Sequence, residues 1–331
     1  MAAVGTWSFS QPAVEKMRLM ILAGHSATDV VERAAADVEN DVETGRHIVG
    51  RGGFPNSKGI VECDAAIMEG VPGRFGAVAA LRGVGQPCRV ARRVMDRSPH
   101  SLLVGEGAEA FAREEGFTIE PNDSMLSSHT VTAYQKFLEN RQSASGHDTI
   151  GLIALDLSGN ITVGVSTSGA PFKAPGRVGD SPLPGCGLYA DQTVGAAAGW
   201  CFLILHLMHF CITDNQVCGQ AGNRHLCYNV LCMWYIVCMM FLLATGDGDK
   251  IMCYCPSFHI VQLMRQGSSP KEACYSVLTD IRKRRGEREC FEVGLIALNM
   301  KGEVGAASSV EFPYTFWNQG MDSVEKCVIS Y

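Results

Sequence analysis

Two stretches far apart in the chain share one form, and that form limits the fold more than any other feature. Thr149-Ile-Gly-Leu-Ile-Ala-Leu155 passes through Ser158-Gly159-Asn160 into Ile161-Thr-Val-Gly-Val-Ser-Thr167. Val293-Gly-Leu-Ile-Ala-Leu298 passes through Lys301-Gly302 into Val304-Gly-Ala-Ala307. Each is an apolar strand, a polar glycine-bearing turn and a second strand, which is the pattern of a β-hairpin. Two such hairpins suit two antiparallel sheets packed together with helices outside.

The flanking segments supply those helices. Ala13 to Gly24 is amphipathic and ends on a glycine, and Ser26-Ala-Thr-Asp29 caps a second helix through about Val42. Helical patterning returns over Pro87 to Met95, Gly105 to Gly116 and Pro270 to Arg285, and the glycine-rich turn Thr245 to Lys250 opens a helix through about Arg265. Trp7-Ser-Phe9 reads as a short first strand, and Cys63 to Gly70 with Phe75 to Leu81 as a further hairpin of ordinary scaffold. Residues 119–146 are polar and weakly patterned, so an exposed linker is expected just ahead of Thr149.

Composition excludes several functions. Across 331 residues, 28 basic and 34 acidic side chains give a net charge of -6 without long runs, which does not suit a nucleic-acid surface and leaves a small molecule as the expected partner. A hydrophobic share of 47% is ample for a packed core. The 14 cysteines show no Cys-x-x-Cys pair, so they read mostly as buried thiols, with some disulfides allowed. No metal or cofactor is expected. Met1 to Trp7 shows no secretory pattern, which points to the cytoplasm unless the natural start lies elsewhere.

Two regions stand out from regular structure. Lys173 to Asp191 is too rich in glycine and proline for a helix or strand, and long ordered loops are usually functional. Its Gly185-x-Gly187-x-x-Ala190 imitates a dinucleotide fingerprint but follows a proline loop and not a strand. Residues 200–244 carry only two formal charges, Asp214 and Arg224, and two apolar runs of 13 and 15 residues, each short of a bilayer span. His206, His209, Cys211, Cys218 and Cys227 in that block are read as buried side chains in preference to zinc ligands.

Thr149 heads the first hairpin inside His147-Asp148-Thr149-Ile150-Gly151. A β-branched residue belongs in a strand on structural grounds alone. Around it, however, stand Ser166-Thr167-Ser168-Gly169, Gly176-Arg177-Val178-Gly179-Asp180-Ser181-Pro182 and Thr245-Gly246-Asp247-Gly248-Asp249. With these groups the chain resembles the glycosylasparaginase (aspartylglucosaminidase) branch of the type 2 asparaginases, from Trp7 to the last hairpin except for 200–244. Two departures are an isoleucine, Ile48, where the family usually has a small hydroxyl residue, and the block itself, an atypical insertion before Thr245.

The resemblance implies an α+β fold, the four-layer αββα sandwich of an N-terminal-nucleophile hydrolase, with residues 1–148 and 149–331 as its two segments. It implies autocleavage between Asp148 and Thr149, after which Thr149 is nucleophile and its α-amine, of pKa about 7.7 to 8, the base. Thr167 would hydrogen-bond the nucleophile, and Thr245 with Gly246 would form the oxyanion hole. Arg177 would grip the substrate α-carboxylate, Asp180 its α-ammonium, and Trp7 would wall the pocket. The implied substrate is N4-(β-N-acetylglucosaminyl)-L-asparagine, in glycoprotein degradation, with isoaspartyl peptides or asparagine as the alternative. A homodimer of processed αβ units in the lysosome is implied as well. Competing readings are an unprocessed inactive homologue, and a membrane-associated protein should the insertion be exposed.

Overall fold

Residues 1–41, 49–140, 149–202, 248–285 and 292–330 are described in a computed structural model of the chain. The chain opens with β1 (Ala2–Thr6), a 3₁₀ turn (Ser8–Ser10), α1 (Gln11–Leu22) and α2 (Ala27–Glu39). β2 (Cys63–Glu69) and β3 (Phe75–Leu81) are followed by α3 (Pro87–Arg97), β4 (Leu102–Val104) and α4 (Gly105–Glu114). A second 3₁₀ turn (Asn122–Met125) and α5 (Ser128–Asn140) precede β5 (Thr149–Leu155) and β6 (Ile161–Thr167). Then come β7 (Leu188–Asp191), β8 (Gly195–Phe202), α6 (Gly248–Ile251), α7 (Pro256–Arg265) and α8 (Pro270–Arg285). The chain closes with β9 (Glu292–Asn299), β10 (Val304–Ser308), β11 (Phe312–Asn318) and β12 (Glu325–Ile329).

Both expected hairpins form, and each belongs to its own sheet. Among the described residues one sheet has eight strands in the order β12-β11-β1-β5-β6-β2-β3-β4, and the other four in the order β10-β9-β8-β7. Only β3 and β4 pair parallel; the other pairings are antiparallel. Between the sheets Val4, Ile153, Val163 and Val165 pack with Ala196, Ala198, Ile296 and Leu298. On the outer face of the large sheet, Val14, Met17, Val30, Val31, Val90 and Val94 of α1, α2 and α3 cover Ala65, Ile67, Ile150 and Leu152. On the outer face of the small sheet, Ile260, Val261, Val277 and Leu278 of α7 and α8 cover Ala197, Leu295 and Ala297. The alternation of side chains along each strand thus fills three apolar layers and gives a four-layer αββα sandwich.

Local chemistry explains most boundaries. α2 starts where Ser26 Oγ accepts from Asp29 N at 3.2 Å, a serine N-cap with an acidic residue in the first turn. α7 starts at Pro256, whose missing N–H is harmless at a helix start.

Four expectations need correction. The first strand is Ala2–Thr6 and not Trp7-Ser-Phe9, because β1 is held on both edges, by β11 and β5, while Trp7 leaves it at φ 66°. Ladder bonds on both sides outweigh the weak strand preference of two alanines. Residues 128–140 of the expected linker are a helix, α5, whose apolar inward stripe onto Phe54 and Phe172 is Ala133, Tyr134 and Phe137, while His129 against Phe54 and the buried Thr130 are polar and do not show as apolar periodicity. The helix expected to open at the Thr245-to-Lys250 turn and run through Arg265 is divided in its described part, because Cys255 sits in the left-handed region at φ 46° ahead of Pro256. The loop expected over Lys173 to Asp191 ends as strand β7.

Candidate active site

Thr149 begins β5 and is buried. It pairs directly with Thr167, the last residue of β6, and its Oγ1 donates to Thr167 Oγ1 at 2.9 Å. Thr167 Oγ1 also accepts from Gly169 N at 2.9 Å, which fixes the acceptor in place. Two residue pairs further on, Thr6 Oγ1 accepts from Gly151 N at 2.8 Å, so the end of β1 braces the head of β5. Trp7 follows immediately. It is buried, meets Phe312 edge-on at a ring separation of 5.4 Å, and holds φ 66° and ψ 160°, a conformation costly for any residue but glycine. Ser10 Oγ donates to its carbonyl at 2.8 Å and helps to maintain that conformation. The glycine-rich loop before Phe54 closes on the same end: a Cβ on Gly53 would lie 2.5 Å from Ser168 Cβ.

Arg177 and Asp180 stand together on the loop after β6. Arg177 Nε donates to Asp249 Oδ1 at 2.9 Å. Asp180 is buried, and burial pushes its carboxyl up to about 7, against the pull of the Arg177 guanidinium. Its Oδ2 has no hydrogen-bond partner among the described residues. Gly248 is where α6 reaches this pair: a Cβ there would stand 2.6 Å from Asp180 Oδ1 and 3.1 Å from Arg177 Nη2, a space only glycine leaves. The backbone of the Thr245-to-Asp249 motif therefore ends against the Arg177 loop.

A further group was hidden in the hairpin read as ordinary scaffold. Asp64 on β2 pairs with Thr167 on β6, so Thr149, Thr167 and Asp64 lie side by side across three strands. Lys173 Nζ stands 3.6 Å from Asp64 Oδ2 and donates to the Glu62 carbonyl at 3.1 Å, all of it buried. Glu62 Oε2 accepts from Gly176 N at 2.9 Å, and Asp64 Oδ1 accepts from Ala80 N at 2.7 Å. Burial raises the Asp64 carboxyl and the Lys173 ammonium opposes that rise. The pair ties the root of the Arg177 loop to the strand beside Thr167. Its signal in the sequence was a lone aspartate within Cys63-Asp64-Ala65-Ala66-Ile67, where every neighbour is apolar.

Asp148, Thr245 and Gly246 lie outside the described residues, as do Ile48 and the candidate zinc ligands of the apolar block. Among the described residues no group of three histidine, cysteine or acidic side chains is placed to hold a metal ion, and no helix is long and apolar enough to cross a membrane. The site thus offers a buried hydroxyl with a hydroxyl partner, a guanidinium and a buried carboxyl.

A sequence model of the asparaginase family matches residues 3–200 and 242–328, which leaves 201–241 unmatched. An N(4)-(beta-N-acetylglucosaminyl)-L-asparaginase from Elizabethkingia miricola is 34% identical over 312 residues, covering 92% of this chain and 77% of that protein. Proteins of the same name from Rattus norvegicus and Mus musculus are 32% and 33% identical, each match covering 92% of this chain and 83% of the relative.

Proposed function

The chain belongs to the asparaginase family, and from that premise we propose that it cuts itself before Thr149 and then hydrolyses N4-(β-N-acetylglucosaminyl)-L-asparagine. The observation that carries this reading is the 2.9 Å hydrogen bond from Thr149 Oγ1 to Thr167 Oγ1 at the head of a buried central strand. A hydroxyl held there lies next to the Asp148–Thr149 peptide bond in the chain.

In the first step Thr149 Oγ adds to the Asp148 carbonyl carbon and the amide nitrogen leaves, which gives an ester and a free α-amine. Water hydrolyses the ester and restores the hydroxyl. That amine, of pKa about 7.7 to 8, then takes the proton of its own Oγ as the oxygen attacks the substrate side-chain amide. A β-aspartyl ester forms on Thr149 and the glycosylamine departs with the proton; water releases aspartate. Thr245 and Gly246 are assigned the oxyanion, where a single donor is worth about 3 to 4 kcal/mol in the barrier. Arg177 is suited to a bidentate grip on the α-carboxylate, and the unpartnered Asp180 Oδ2 to the α-ammonium. Trp7 walls the pocket. The working unit is taken to be a homodimer of processed αβ units, checked by light scattering, and the compartment the lysosome, checked by co-purification with acid hydrolases.

The test is hydrolysis by the purified chain of three substrates that share an aspartyl end: glycosylated asparagine, asparagine and a β-aspartyl dipeptide. The expected result is the highest kcat/KM on glycosylated asparagine, abolished in Thr149→Ala. A processed chain that prefers the dipeptide or asparagine contradicts the assigned leaving group. One that cleaves none of the three sinks the enzyme reading.

A further inference from the structure

The 183–187 turn, which follows Asp180, and the start of α7 are stitched together by backbone and side-chain bonds. Phe258 N donates to the Gly185 carbonyl at 3.1 Å, and Ser257 Oγ donates to the Cys186 carbonyl at 2.7 Å. Gly187 N donates to the Asp180 carbonyl at 3.1 Å, so the turn and the Asp180 backbone form one unit. Between those bonds two thiols meet: Cys186 Sγ and Cys255 Sγ are 3.8 Å apart. Both lie against the Met252 carbonyl, at 3.6 and 3.7 Å. Cys186 is buried and Cys255 exposed, and both are free thiols. Cys253 is exposed too, but its Sγ turns to the Asp249 carbonyl at 3.6 Å.

We propose that Cys186 and Cys255 are an oxidisable dithiol site, closed to a disulfide by a small disulfide such as oxidised glutathione, and that closure locks the Asp180 turn onto α7. A disulfide needs its sulfurs at about 2.0 Å, so the thiols must close by roughly 1.8 Å, which rotation of the exposed Cys255 side chain supplies. Cys255 is the accessible group and attacks first. Its thiolate, having released its proton, breaks the S–S bond of the oxidant, forms a mixed disulfide and releases one glutathione thiolate, which takes up a proton. Cys186 then loses its proton, attacks the Cys255 sulfur and expels the second glutathione. The balance is two cysteine thiols and one glutathione disulfide giving one protein disulfide and two glutathione thiols. Burial pushes the Cys186 thiol up to about 12, which holds it back from the first encounter; in the second step its nearness to the Cys255 sulfur, 3.8 Å, offsets its low thiolate fraction.

The experiment uses the full chain. After incubation with oxidised glutathione, remaining thiols are alkylated and an unreduced digest is mapped by mass spectrometry. The expected result is a cross-linked peptide joining Cys186 to Cys255, retained in Cys253→Ser and absent in Cys255→Ser, which instead carries no glutathione at Cys186. The oxidised protein should melt about 4 °C or more above the reduced one, and dithiothreitol should reverse the shift. Three results overturn the proposal: Cys186 joined to another cysteine, Cys186 and Cys255 both alkylated while Cys253 is glutathionylated, or a Cys186–Cys255 bond that leaves the melting temperature unchanged. All three are read without assaying activity.

Discussion

The β5–β6 and β9–β10 hairpins are built alike at the turn and differently at the open end. At the turns, Asp156 Oδ1 accepts from Ser158 N and Asn160 N, both at 2.9 Å, and Asn299 Oδ1 accepts from Lys301 N and Glu303 N, both at 3.0 Å. Gly159 and Gly302 follow at φ 78° and 83°, in the left-handed region that such turns require. At the open end of β9–β10, Ser308 Oγ donates to the Val293 carbonyl at 3.0 Å, and Ser309 Oγ accepts from Val293 N at 2.9 Å. Those hydroxyls complete the backbone. At the open end of β5–β6, Thr149 Oγ1 instead meets a second hydroxyl. One scaffold thus appears twice: in one copy both hydroxyls bond the backbone, and in the other one hydroxyl, Thr149 Oγ1, donates to a second that is itself held by the Gly169 backbone.

That contrast can be broken by substitution. The largest effect is expected for Thr149→Ala, which should abolish processing and lower kcat/KM by about 10⁴-fold or more, read by substrate hydrolysis. Residual activity within tenfold of the parent would mean that the two open ends do not differ in kind. Lys173→Met should cost about 3–5 kcal/mol of stability, because Asp64 is left buried without its partner; urea unfolding measures it. Thr167→Val keeps the strand but removes the hydroxyl partner of Thr149, and should lower kcat about 100-fold in the processed enzyme while costing about 1–3 kcal/mol in urea unfolding, because Gly169 N loses its acceptor. At the other hairpin, Ser308→Ala should leave kcat unchanged and cost only about 1 kcal/mol in urea unfolding.

Acidity sharpens the same distinction. Burial, the largest cause in each case, pushes Asp180 and Glu39 up to about 7. Both folded values lie above the ordinary carboxyl range of about 4, so the fold favours the protonated forms. Their contribution to stability is fully present below about pH 4 and is lost as pH rises through 7, and the thermal midpoint should fall between pH 5 and pH 8. Substrate binding should run the other way, since an α-ammonium prefers the Asp180 carboxylate: KM should rise as pH drops below about 7. A KM that stays flat from pH 5 to pH 8 would remove Asp180 from ammonium binding.

What the sequence disclosed follows from which interactions are local. The hairpins, the Ser26 cap and the apolar faces of α1 and α2 are written in short periodic stretches, so they were legible. The position of β1 depends on β11, more than 300 residues away, and nothing in Ala2-Ala3 announces a strand flanked on both sides. Helix α5 is faint in the sequence because its apolar contacts on Phe54 and Phe172 come from three residues, while His129 and the buried Thr130 are polar. Within the site, Thr149, Thr167, Arg177 and Asp180 were marked by motifs. Asp64 and Lys173 were not, because their meaning lies in a contact across 109 residues of chain.

The measurement that bears most directly on the account is N-terminal sequencing and intact mass of the purified chain. Two fragments are expected, the second starting Thr149-Ile150-Gly151, in every preparation that hydrolyses glycosylated asparagine. An active preparation in which the Asp148–Thr149 bond is whole would contradict that expectation.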